Sequence, residues 1–75
     1  ACSTAAFQLR PVGETGPIDL IVNGVALGPQ MVNSDWNRYS WKIPASALKT
    51  GMNSFVLKPT HSVLLGDALF DHVVR

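Results

Sequence analysis

Chain breakers decide what this sequence can fold into. Six glycines and five prolines are spread over 75 residues. No window of ordinary helix length keeps a 3.6-residue apolar period without meeting one of them. Proline cannot donate a backbone hydrogen bond, and glycine weakens any helix interior. What remains is a series of short apolar segments with period-two alternation, which predicts strands and turns. Stability is the second constraint. A chain this short buries only about 60% of the surface its unfolded form exposes, and small domains usually add disulfides, a metal or a partner. One cysteine, Cys2, excludes an internal disulfide, and His61 and His72 with a single cysteine do not make a structural zinc site. Tight packing or another chain must supply the rest.

Five strands and one helical turn emerge. Ala6–Arg10 places Phe7 and Leu9 on one face, with Gln8 and Arg10 on the other. The segment 11–17, with Pro11, Gly13, Gly16 and Pro17, is a connection. Ile18, Leu20 and Val22 share a face of the next strand. Asn23-Gly24 then gives the strongest short hairpin signal, because a type I′ turn needs positive φ at both central residues. Val25–Leu27 returns before Gly28-Pro29. Residues 30–37 are polar and irregular apart from Met31-Val32. Arg38–Ile43 alternates, with Tyr39, Trp41 and Ile43 inward, and Pro44 ends its ladder. Residues 45–49 make one helical turn closed by Gly51. Ser54–Lys58 follows, with Phe55 and Leu57 on one face. His61–Asp67 reads as a loop with an apolar Val63-Leu64-Leu65 patch. Ala68–Val74 is a sixth strand, and its pattern leaves open which face is core. The expectation is an all-β fold: a small antiparallel β-sandwich or jelly roll of five to six short strands with one helical turn, as a single domain over residues 1–75.

The charge balance excludes several partners. Six Lys and Arg against five Asp and Glu give a net charge of +1, so no basic field for nucleic acid is present. Uninterrupted apolar runs are four residues or fewer, so no helix of this chain is expected to insert in a membrane. No basic segment precedes an apolar run at the N-terminus, and no initiator Met begins the chain. The expectation is a processed product or a piece of a longer protein.

One pattern is more specific. Val22-Asn23-Gly24 closes a strand, Gly28 lies four residues on, and Tyr39-x-Trp41-x-Ile43-Pro44, Leu48, Gly51-x-Asn53 and Phe55-x-Leu57 follow. Together they resemble the galactose-binding-like jelly-roll domain found as a non-catalytic module in carbohydrate-active proteins. The match covers Ile18 to Leu57. The resemblance implies a carbohydrate-associated sandwich in a secreted or cell-envelope protein, with no enzymatic activity and no cofactor. Such domains are nearly twice this length. The chain is thus either a compact sandwich or the C-terminal part of a larger jelly roll. In the second case another protein chain, or its own copy, covers an open sheet edge.

Binding residues are expected in the polar loop rather than on the sheets. Tyr39 and Trp41 alternate in phase with Ile43 and belong to the core. Trp36 sits outside that alternation, flanked by Asp35, Asn37 and Arg38. An aromatic face suits the C–H face of a pyranose, and amide, carboxylate and guanidinium groups suit its hydroxyls. The opposing reading is a solvated loop anchored by one ring. The five acids, Glu14, Asp19, Asp35, Asp67 and Asp71, sit in no recognisable catalytic motif. No G-x-S-x-G occurs, and no third ligand accompanies the two histidines. No catalytic or metal-ligating residue is assigned. Two functions follow: a glycan-associated module, or a structural piece completed by a partner chain.

Overall fold

Alternation along the chain becomes two stacked antiparallel sheets. A computed structural model describes residues 2–72. Seven strands run in order: β1 (Cys2–Pro11), β2 (Pro17–Val22), β3 (Val25–Ala26), β4 (Gln30–Met31), β5 (Asn37–Pro44), β6 (Phe55–Pro59) and β7 (Val63–Asp71). A 3-10 turn, Ala45–Ala47, links β5 toward β6. The first sheet has the order β5-β1-β7. In the second, β2 is central, with β6 on one side and the short strands β3 and β4 on the other.

The long strands β1, β2 and β5 send every second residue into the space between the sheets. On β2 these are Ile18, Leu20 and Val22, all fully buried. On β1 they are Ala5, Phe7 and Leu9, and on β5 Tyr39, Trp41 and Ile43. Phe7 and Trp41 meet edge to face at 6.0 Å between ring centroids, a favoured aromatic geometry. Both polar tips of the β5 aromatics find partners. Trp41 Nε1–H donates to the Gly28 carbonyl at 2.8 Å, and the Tyr39 hydroxyl accepts from Asn33 N–H at 2.6 Å. The Tyr39 and Trp41 faces are therefore core, as their alternation predicts.

The turn chemistry follows the sequence closely. Asn23 and Gly24 hold φ of 50° and 83°. The Asn23 side chain also ties three segments together. Its Nδ2 donates to Ala47 O and Asn53 Oδ1, both at 2.8 Å, and its Oδ1 accepts from Ser54 N–H at 2.9 Å. Asn53 bonds local backbone in turn, reaching Lys49 N–H, Lys49 O and Gly51 O. Leu48 is half-buried against the core at the sandwich end.

Four expectations are revised. The helical turn expected over residues 45–49 and closed by Gly51 is a 3-10 turn over Ala45–Ala47 that ends at an extended Leu48, so Gly51 lies beyond it. The first strand begins at Cys2, not Ala6, because Ser3 and Ala5 extend the same buried alternation in register with Ile43 and Trp41 of β5. Gln30–Met31, within the segment read as irregular, forms a short ladder with Pro17 and Ile18. The Val63-Leu64-Leu65 patch is strand rather than loop, since β7 starts at Val63 and pairs with Pro11, Arg10 and Leu9. Val73 and Val74, the end of the expected last strand, lie outside the described residues.

The β7 ladder contains one irregularity. Phe7 faces Ala68 and Leu9 faces Leu65, so Gly66 and Asp67 both oppose Gln8. This is a bulge, and it adds local twist to an edge strand. It also settles which face of β7 is inward. Val63, Leu65, Ala68 and Phe70 lie on the face of Pro11, Leu9, Phe7 and Ala5. Leu64, Leu69 and Asp71 lie on the face of Arg10, Ala6 and Thr4.

Candidate functional site

The loop that precedes β5 is built by its own backbone contacts. Asp35 Oδ1 accepts from Trp36 N–H at 2.7 Å, and Asn37 Nδ2 donates to the Asp35 carbonyl at 3.2 Å. Such side-chain to backbone bonds favour turns over regular structure. They leave Trp36 44% exposed. The ring is nonetheless in place. A Cβ on Gly66 would come within 3.2 Å of Trp36 Cζ3 and 3.2 Å of Gln8 Oε1. Glycine at the bulge is what lets the indole approach the outer face of the β5-β1-β7 sheet. Gln8 Oε1 accepts from Asp67 N–H at 3.4 Å beside it.

Of the four expected residues, the structure groups two on this outer face. Trp36 lies against Gln8 and Gly66, and Arg38 pairs across the strands with Gln8. Asn37 pairs with Leu9 and so belongs to the opposite side of β5. Asp35 is engaged in holding the loop. Gln8 and Gly66 join the patch from β1 and β7, far away in sequence. No local motif marks them, and only the strand register brings them together.

A second concavity lies at the other end of the same sheet. A cavity of about 600 Å³ is lined by Ser3, Lys49, Thr50, Gly51, Phe70 and His72, among others. The Phe70 and His72 rings stack at 5.7 Å with 25° between planes. Ser3 Oγ lies 3.0 Å from His72 Nδ1, with the proton's place set by the imidazole tautomer. The Ser3 side chain is buried, so the pair is a structural link rather than an exposed nucleophile. Asn53 fixes the backbone of Lys49 and Gly51 on the opposite wall. Sequence reasoning found Gly51-x-Asn53 as a fold signal. It did not find the cavity, whose walls come from three distant stretches of chain.

The outer-face patch offers one fixed, half-exposed aromatic ring with a guanidinium and an amide beside it. The cavity offers an aromatic wall, an ammonium and a hydroxyl. Among the described residues no three His, Cys, Asp or Glu side chains gather where they could hold a metal ion. Comparison with protein-family models, with curated proteins and with solved structures found no match.

Proposed function

We propose that this chain is a non-catalytic β-sandwich module of a carbohydrate-active protein, and that its glycan contact is centred on Trp36. The observation that carries the reading is the seating of this ring. It is the more exposed of the chain's two tryptophans, and it rests on the sheet at Gly66 instead of projecting freely. A held ring loses little conformational entropy on binding, and its apolar face matches the C–H face of a sugar. Arg38 and Gln8 stand in cross-strand register beside it and supply donors for hydroxyl groups. The jelly-roll resemblance over Ile18–Leu57 points to the same class of ligand.

The test is titration with a panel of neutral and acidic oligosaccharides, read by NMR. Trp41 has its indole N–H bonded inside the core, so it serves as an internal control. Binding is expected to shift the Trp36 indole N–H and the Gly66 and Arg38 amides while leaving the Trp41 indole still. Trp36→Ala is expected to weaken binding about two- to tenfold, the loss of roughly 0.5–1.5 kcal/mol of aromatic contact. A panel that leaves the Trp36 signal unmoved overturns the proposal.

A further inference from the structure

Two strand edges lie on one flank of the sandwich, and among the described residues each has a neighbour on one side only. β7 pairs with β1, and β6 pairs with β2. β7 is nine residues long, and a free edge of that length is a template for a further strand. Between the two edges the interlayer space opens as an apolar cavity of about 230 Å³, lined by Ala5, Phe7, Phe55, Ala68, Leu69 and Phe70. Ala5 and Phe7 are core residues, so the cavity reaches the core from outside. Phe55 and Phe70 meet edge to face at 5.1 Å within it. An apolar cavity of about 150 Å³ admits benzene. This one therefore has room for a Leu, Met or Phe side chain.

The other face of β7 indicates what the added strand must carry. Asp67, Leu69 and Asp71 alternate there, all exposed. Among the described residues neither aspartate is in an ion pair, and the ion pair present is His61–Glu14 at 3.3 Å. A strand laid along β7 places side chains opposite these positions. Opposite charges stabilise such pairs and like charges destabilise them. A second copy of β7 would bring two further aspartates to the same face, where like charges destabilise the pairing.

We propose that the β6–β7 flank binds an extended segment of another protein by strand addition to β7. That segment sets one Leu, Met or Phe into the Phe55–Phe70 cavity and Lys or Arg residues against Asp67 and Asp71. Main-chain hydrogen bonds supply affinity in this mode, and alternate side chains supply specificity. The inference does not rest on the glycan reading, since Trp36 does not line the Phe55–Phe70 cavity.

The experiment is NMR titration of the chain with nine-residue synthetic peptides. The first alternates Lys with Val and has one central Phe among the valines. The second replaces each Lys by Glu. The third replaces the Phe by Ala. The first is expected to slow amide exchange along β7, and each replacement to weaken binding at least about tenfold. The double variant Asp67→Lys and Asp71→Lys, at exposed positions, is expected to reverse the preference toward the Glu peptide. Equal binding of the Lys and Glu peptides, or no change on β7, overturns the proposal. So does a chain that is dimeric alone with its β7 amides already protected, which would make a second copy the occupant.

Discussion

The two flanks of the sandwich carry similar strands and reach opposite outcomes. On the β5 flank Tyr39, Trp41 and Ile43 are 6%, 4% and 0% exposed. On the β7 flank Leu65 and Phe70 also point between the sheets, yet they are 55% and 44% exposed. Both strands alternate, and both pair with β1. The difference is what crosses the gap. On the β5 side the segment 27–33 spans from β3 toward β5. Gly28 O and Asn33 N–H bond the two aromatic tips, and Val32 is itself buried and held by Gly16 O. On the β7 side the gap is faced by Phe55 and Leu57 of β6, half-buried, with no described segment laid across it. Burial here is decided by the covering segment and not by the strand's own composition.

Substitutions can break that contrast, and the largest effect belongs to the closed flank. Trp41→Ala is expected to cost about 3–5 kcal/mol, the range for deleting a large buried aromatic side chain. Urea unfolding checks this, and a loss below about 1 kcal/mol would mean the flank is not closed. Asn23→Ala is next, at about 2–3 kcal/mol. It removes three hydrogen bonds and places Ala at positive φ. Thermal unfolding with an Asn23→Gly companion separates the two parts, because glycine restores only the backbone freedom. Tyr39→Phe leaves the Asn33 N–H without its acceptor and is expected to cost about 1 kcal/mol. Leu65→Ser and Leu69→Ser on the open flank are expected to change stability by no more than about 0.5 kcal/mol, as surface substitutions do. A loss of 2 kcal/mol at either would show that the open flank is covered in solution.

Much of the closed half was legible in the sequence because its signals are local. Tyr39, Trp41 and Ile43 declare a core face by alternation. Asn23-Gly24 declares its hairpin through the positive φ that both residues accept easily. The open half was not legible for a physical reason. Val63-Leu64-Leu65 has no period, since the bulge at Gly66 and Asp67 shifts the phase midway along β7. A strand whose phase changes within nine residues gives two incompatible halves. That is why its first part read as loop and its last part left the core face undecided. The candidate site divides in the same way. Trp36 and Arg38 stand out in the sequence by their place in a polar loop. Gln8 and Gly66 reach them only through pairing between β1, β5 and β7, which leaves no trace in either segment alone.

The most direct measurement is residue-resolved hydrogen exchange on the isolated chain. Opening free energies range from near zero at loose elements to the global value in the core. The contrast predicts that Leu20, Trp41 and Ile43 exchange only through global unfolding. Residues along β7 are predicted to exchange about 100-fold faster or more, with rates independent of protein concentration. Protection of β7 equal to that of β5 would contradict it.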